Sequence, residues 1–298
     1  MDSKKNILAM LSILAAGSLW GTLGVFVRVY NKYQLESMDI VVVRGIGTTI
    51  IMFIFLILYK KELFRIRFKD LWCFLGTGIG SIVLFNYCYF KTITLTSMSV
   101  AAILLYTAPS IVMIFSAILF DEKLTRTKIF SLICTFLGCV LVTDIAGDAK
   151  SLTVTGVITG LGAGFGYALY SIFSRYALEK GYQTFTISFY TFFIVTLSTL
   201  PFVNQTKIIR TVTENYSMFG LFLVFGSVST VLPYILYTFG LKNTENGKAA
   251  ILASIEPIVA TLLGFFLYGE KIDLSGFVGI CLVIMAITMC NVVKPKEI

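Results

Sequence analysis

Long runs of apolar residues alternate along the chain with short clusters of charge. Residues 6–27, 71–90, 92–120, 151–174, 181–206, 215–241 and 274–293 carry no Asp, Glu, Lys or Arg, and the run 249–269 carries one, Glu256. Two shorter uncharged runs, 45–59 and 129–143, need a few flanking residues to reach spanning length. About 20 apolar residues in a helix cross the hydrocarbon core of a bilayer. The pattern therefore predicts ten helices, over 7–30, 37–59, 71–91, 98–120, 127–143, 152–175, 184–203, 216–240, 248–268 and 274–293. The first run continues to Val27, past the length of a signal-peptide core, and is expected to remain as a span.

Composition agrees. Of 298 residues, 57% are hydrophobic and 13% charged, with mean hydropathy +0.88; a soluble domain has about 25% charged residues, so the deficit excludes a water-solvated surface. The net charge of +8 sits in short clusters between apolar runs rather than in a basic stripe, which argues against a nucleic-acid partner. There is no histidine, which removes His-ligated metals, Ser-His-Asp and Cys-His systems and His proton relays. With one deep carboxylate besides, no catalytic set is visible: neither an enzyme nor a cofactor is expected. The six cysteines lie in apolar segments without a CxxC spacing and read as small packing residues. Placing the N-terminus inside puts 16 cations on inner segments and seven, Arg28, Lys32, Lys91, Lys150, Lys207, Arg210 and Lys271, on outer ones. The cation bias thus predicts an integral, multi-pass protein of the cytoplasmic membrane with both termini cytoplasmic.

The chain also repeats itself. A shift of 148 residues aligns Ala101-Ala102-Ile103-Leu104 with Ala249-Ala250-Ile251-Leu252, Pro109 with Pro257, Glu122-Lys123 with Glu270-Lys271, Gly78 with Gly226, Ser81 with Ser229 and Tyr89 with Tyr237. A shift of 147 aligns Ala16-Gly17 with Ala163-Gly164 and Arg28 with Arg175. Two units are expected, residues 1–146 and 147–298, each of five helices. Five is odd, so the second unit enters the bilayer from the other side, the inverted arrangement of many transporters. Inner Arg126 and Lys128 are replaced in the second copy by Leu274 and Gly276.

Ser18-Leu19-Trp20-Gly21, Arg44, Ala101-Ala102-Ile103 through Pro109 to Glu122-Lys123, and Ile255-Glu256-Pro257 through Gly269-Glu270-Lys271 together resemble the EamA-type drug/metabolite transporters over essentially the whole chain. The resemblance implies ten transmembrane helices in two inverted five-helix repeats, a cavity built from helices 1–4 and 6–9, and helices 5 and 10 at the periphery. It implies transport of amino acids or other small metabolites; the superfamily includes nucleotide-sugar and phosphate-ester exchangers.

Glu256 is the sharpest single feature. It lies about 12 Å into the ninth helix at 1.5 Å per residue, where a charge costs several kcal/mol unless paired, protonated or facing water. Pro257 follows it and frees the carbonyl of Ala253. A carboxyl there suits a substrate ammonium or a coupling proton; the structural alternative is a neutral Glu256 bonded to backbone. Arg44, the one cation inside a span, suits a substrate carboxylate or, alternatively, snorkels to Asp39 or Glu36. Its depth does not place it level with Glu256, so no pair is expected. Trp20, Asn86, Tyr87, Tyr89, Tyr106, Ser110, Tyr167, Tyr170, Ser229, Tyr234 and Tyr237 lie in the cavity-forming helices. Tyrosine joins an apolar face to one hydroxyl, which suits an amphipathic cavity. Pro109, Pro233 and Pro257 are hinge candidates. Gly17-Gly21, Gly76-Gly80 and Gly156-Gly160-Gly164 put small residues on one helix face, for close packing or for sliding. Asp121-Glu122-Lys123 and Glu270-Lys271 read as interfacial caps and ion pairs, with gating the alternative. The triplets Asn204-Gln-Thr and Asn215-Tyr-Ser have the form of sequons on the loop between the seventh and eighth helices.

These readings converge on a secondary transporter of small organic metabolites, amino acids or similar amphiphiles foremost, driven by a gradient or by exchange, with protons as a candidate coupling ion through Glu256. A phosphate-ester or nucleotide-sugar exchanger and a passive channel are the alternatives.

Overall fold

The computed structural model describes residues 2–33, 35–143, 153–214 and 216–292. Lys150, Lys294 and Lys296 of the cation count, Asn215 of the second triplet and the expected boundary at 146–147 lie outside the described residues. The fold is all-α, and no strand occurs among the described residues. Eight helical stretches are long and apolar enough to cross a membrane: Lys4–Tyr30, Ser37–Tyr59, Phe68–Leu95, Met98–Leu119, Val154–Glu179, Thr184–Phe202, Gly220–Leu241 and Asn246–Tyr268.

Several of these stretches are built from shorter helices. The first consists of α1 (Asp2–Gly21) and α2 (Leu23–Asn31), and α3 (Ser37–Tyr59) is unbroken. The third runs α4 (Leu71–Leu75), a π-helical stretch Gly76–Val83, then α5 (Leu84–Leu95). The fourth breaks between α6 (Met98–Leu105) and α7 (Ala108–Leu119). A shorter helix, α8 (Arg126–Val142), precedes α9 (Val154–Glu179) and α10 (Thr184–Thr199). After α11 (Gln205–Glu214), α12 (Tyr216–Gly226) passes through a second π-helical stretch, Ser227–Val231, into α13 (Leu232–Leu241). Then come α14 (Asn246–Ala253), α15 (Glu256–Tyr268) and α16 (Leu274–Val292).

The irregularities recur at the repeat offset. The π-helical stretches end at Val83 and Val231, and the breaks follow Leu105 and Ala253, each pair 148 residues apart. Pro109 and Pro257 sit in the first turns of α7 and α15, and Pro233 in the first turn of α13. Proline lacks the amide hydrogen a helix interior needs but is tolerated in a first turn. Of the three hinge candidates, Pro109 and Pro257 thus follow breaks in their helices, whereas Pro233 follows the π-helical stretch within a continuous helical run, Gly220–Leu241.

Glycines let neighbours close on these breaks. A Cβ on Gly17 would meet the carbonyl oxygen of Ala253 at 2.7 Å, and one on Gly164 the carbonyl of Leu104 at 3.0 Å. Helix α1 therefore rests on the α14–α15 break and α9 on the α6–α7 break. The same α1 packs on α13, and α9 packs on α5 and the first π-helical stretch, so helices from the two halves of the sequence interleave. Further out, α3 packs on α10 and α12, and α8 on α16. Ile133 and Leu137 of α8 and Leu274 and Phe277 of α16 are exposed, as suits a lipid-facing pair.

The sequence reading did not include α11. Its start is signalled by Asn204, whose side-chain oxygen accepts the Lys207 amide at 3.1 Å, the capping role asparagine favours. All six cysteines are free thiols.

The α8–α16 seam generates a stability test. A Cβ on Gly138 would lie 2.8 Å from the Gly279 carbonyl, and one on Gly279 would lie 2.6 Å from that of Gly138. Overpacking costs about 1–3 kcal/mol. Gly138→Leu is expected to lower the melting temperature of the purified protein in detergent, whereas Gly220→Leu, whose Cβ meets nothing within 4 Å, leaves it unchanged. Equal melting of the two variants would refute the close-packed seam.

Candidate substrate cavity

The α6–α7 and α14–α15 breaks bring several candidate residues to one place. Trp20 lies near the end of α1, beside the Gly21 that closes on α15. Its indole contacts Tyr234 edge-on (ring centroids 5.2 Å apart), Tyr237 (5.3 Å) and Tyr167 (6.3 Å). Tyr170 joins the cluster at 4.9 Å from Tyr234. Hydroxyls on the buried side are paired within the protein: Tyr170 with Thr238 at 2.8 Å and Tyr237 with Ser171 at 2.7 Å. Trp20 Nε1 is buried and donates to no protein acceptor among the described residues.

The two embedded charges flank this cluster from different sides. Glu256 opens α15, directly after the break, and accepts from the Tyr167 hydroxyl at 3.3 Å. Arg44 is buried in α3; its Nη2 donates to the Tyr234 hydroxyl at 3.4 Å, and its guanidinium carbon lies 5.9 Å from the ring centres of Phe192 and Tyr234. It points inward. Asp39 and Glu36, its alternative partners, instead meet Lys207 at 3.2 and 3.6 Å. No ion pair joins Arg44 to Glu256 among the described residues. The tryptophan and two tyrosines stand between them.

A vestibule of about 390 Å³ enters from the end of the bundle where Arg28 and Glu270 lie. Met98, Ser99, Tyr89 and Tyr268 line it, and it reaches Trp20, Tyr106, Glu256 and Pro257. Beyond Tyr106 the space narrows to pockets of about 20 Å³, beside Pro109 and Ser171, and about 10 Å³, beside Tyr170 and Phe85. Spaces of that size admit about one water each. The vestibule is thus open at one end and stopped at the aromatic cluster.

At the opposite end the halves are tied together beneath an outer cleft of about 400 Å³, lined by Glu122, Arg175 and Glu245 and by none of the aromatic cluster. Glu122, after α7, accepts the backbone amides of Asn246 (2.6 Å) and Gly247 (3.1 Å) at the start of α14. Lys128 pairs with Glu245 at 2.6 Å. Arg175 donates to the Asn246 side-chain oxygen at 2.9 Å and to the Thr244 carbonyl. At the open end the repeat-related residues meet differently: Arg28 pairs with Glu270 at 2.5 Å, with both side chains about half exposed.

The remaining candidates are placed apart from the cavity or in its frame. Tyr87 is 59% exposed and faces away. Asn86, in the first turn of α5, is buried and donates to the Ile82 carbonyl at 2.7 Å in the π-helical stretch before it. Ser229 is buried and bonds to Thr22 at 3.0 Å, tying the second π-helical stretch to the α1–α2 junction. Ser110 is half-buried in α7 outside the lining. Sequence reasoning missed Ser171, Phe85 and Tyr268 as lining residues; composition alone gives no rotation for a helix that is apolar all round.

Comparison with known proteins agrees with this architecture. The chain is 24% identical over 284 residues to an uncharacterized transporter of Archaeoglobus fulgidus, covering 95% of this chain and 97% of that one. It is 25% identical over 302 residues to the uncharacterized transporter YxxF of Bacillus subtilis, covering 97% and 92%. A protein of known crystal structure superposes with a TM-score of 0.80 at 16% identity, covering 95% of this chain and 96% of that one, which shows a shared fold. The sequence model of the EamA-like transporter family matches twice, over residues 7–144 and 154–292. The chain belongs to the EamA-like transporter family.

Proposed function

We propose that the protein is a secondary transporter of small organic metabolites, amino acids or similar amphiphiles foremost, working by alternating access between two inverted five-helix halves, residues 1–146 and 147–298. In this reading α8 and α16 complete ten crossings, both termini are cytoplasmic, and the vestibule opens outward across the cytoplasmic membrane. The observation that carries it is the unequal closure of the two ends by repeat-related residues. Glu122 caps α14 at the closed end. Its counterpart Glu270 lies at the open end with Met98 and Ser99, the first residues of α6 and the counterparts of Asn246 and Gly247, across the vestibule lining. In the opposite state Glu270 leaves Arg28 and caps α6, while Glu122 releases α14.

The substrate class follows from the chemistry of the cluster. A carboxylate and a guanidinium separated by aromatic rings match a small zwitterion with an apolar side chain. Phosphate-ester exchange asks for several cations in the site. Arg44 alone of the described cations meets the cluster, since Arg175 is engaged at the closed end and Lys91 is exposed. Glu256 takes up and releases the coupling proton, exchanging it against the substrate ammonium.

Two outcomes test this. In proteoliposomes, Glu256→Gln is expected to abolish pH-driven uptake of amino acids, while equilibrium exchange persists at a higher half-saturating concentration because the ammonium has lost its charged partner; unchanged pH-driven uptake refutes the coupling role. The gate is tested in a chain whose native cysteines are replaced, carrying Ser99→Cys as a maleimide reporter of the vestibule. Each charge-assisted hydrogen bond contributes about 1.5–3 kcal/mol, so removing one cap biases the balance strongly. Glu122→Gln should slow labelling of the reporter and Glu270→Gln should raise or preserve it. Equal labelling in the two variants would overturn the alternating caps.

A further inference from the structure

A second basic feature lies away from the transport path. The connection between α3 and α4, with short 3-10 turns at Lys61–Phe64 and Phe68–Asp70, faces the α9–α10 turn across a cleft of about 410 Å³. Four cations line it: Lys60, Arg65, Arg67 and Lys180. The one acid in the lining is Glu62. Behind the cleft is Asp70, 1% exposed, which accepts from Arg67 Nε at 2.8 Å, Lys180 Nζ at 3.0 Å and the Tyr182 hydroxyl at 2.8 Å. Asp70 therefore fixes two cations, one from each half of the sequence. It engages Arg67 through Nε and leaves the terminal guanidinium nitrogens to face outward. The side chains of Lys60 and Arg65 have no hydrogen-bond or ion-pair partner among the described residues. After Asp70 and Glu62 are counted, the cleft still carries excess positive charge.

Its position selects the anion. Lys60 directly follows α3, where a span ends. Around the same end Leu58 is 80% and Phe68 89% exposed, and the half-exposed Trp72 lies under Lys180 Nζ at 5.7 Å. Exposed apolar and aromatic side chains beside a ring of cations are what a lipid needs, acyl chains on one side and headgroup on the other. A soluble anion would use the cations and leave the apolar rim unused. The start of α10, which has no side-chain cap, opens into the same cleft and adds amide donors. We propose that this cleft binds the phosphate headgroup of an anionic phospholipid, with Arg67 and Lys180 preset by Asp70 and Lys60 and Arg65 closing over the headgroup. A lipid held there bridges the α3–α4 connection to the α9–α10 turn. The site stands on membrane embedding and holds whatever the transported substrate.

The experiment uses the full chain purified in detergent, with melting followed as phosphatidylglycerol, phosphatidylcholine or inorganic phosphate is added. Phosphatidylglycerol is expected to raise the melting temperature saturably, by mass action on the folded state; phosphatidylcholine and inorganic phosphate are not. Lys60 and Arg65 are exposed and unpartnered, so K60Q/R65Q keeps the Asp70 network and the fold. It is expected to raise the half-saturating phosphatidylglycerol concentration by roughly thirtyfold, at about a fivefold loss for each cation. The charge-matched control K4Q/K5Q should behave as the parent. A parental response in K60Q/R65Q, or stabilisation by phosphatidylcholine or inorganic phosphate equal to that by phosphatidylglycerol, would overturn the proposal.

Discussion

Hydrocarbon offers a peptide group no hydrogen-bond partner, so a spanning chain breaks its helices only where protein or an aqueous cavity takes over. The breaks obey this. Those after Leu105 and Ala253 lie against glycines of α9 and α1, and the second π-helical stretch is tied by Ser229 to Thr22 at the α1–α2 junction. Each break is thus sheltered by a helix from the other half of the sequence. Interleaving is what permits the breaks, and the breaks are what put Glu256 and the first turns of α7 and α15 at the floor of the vestibule.

The two ends of the bundle are made of related residues in unlike surroundings. At the closed end Glu122 holds two backbone amides of α14, and Lys128, 8% exposed, pairs with Glu245. At the open end Arg28 and Glu270 form a half-exposed pair, of a kind worth about 0–1 kcal/mol. The state described here is therefore fastened at one end and loosely held at the other. A ligand shifts such a balance only by binding one state better than the other. The repeat is also imperfect here: Lys128 has Gly276 as its counterpart, so the tie that Lys128 makes has no repeat-related equivalent at the open end. In the proposed alternating-access reading, the two states are therefore unequal in energy.

Much of the fold was legible because charge is nearly absent from the spans. Counting residues between charges located the eight long stretches and also α8 and α16. The proline and Glu-Lys matches located the irregularities that recur at the same offset. What escaped was whatever does not alter hydrophobicity. The π-helical stretches carry ordinary apolar residues and small polar ones. Helix rotation was hidden because a lipid-facing side is as apolar as a buried one, so Tyr87 and Tyr89, two positions apart on α5, looked equivalent although one is exposed and the other lines the vestibule. By contrast α11 escaped although its signals were present: Asn204 is an N-cap residue type, and Arg210 and Glu214 stand four apart and pair at 2.6 Å.

The separation of Arg44 from Glu256 bears on how the cavity can work. Two opposite charges in a low-dielectric bundle gain most by meeting, and a direct pair would leave little for a ligand. Here each is held by a neighbouring hydroxyl instead, Arg44 by Tyr234 and Glu256 by Tyr167, and the Trp20 ring with its tyrosine neighbours fills the gap. A tyrosine hydroxyl is a weaker partner than an ion, so both side chains remain without an ionic partner among the described residues. The cost of holding them apart is spread over hydrogen bonds and, for Arg44, aromatic faces. In the proposed transport reading a zwitterion supplies to each charge the partner that the fold withholds. Because α15 begins at Glu256 and Tyr234 lies on α13, such a ligand couples the α14–α15 break to the helix that Arg44 meets. Occupancy of the cluster and the disposition of the two ends are then one equilibrium.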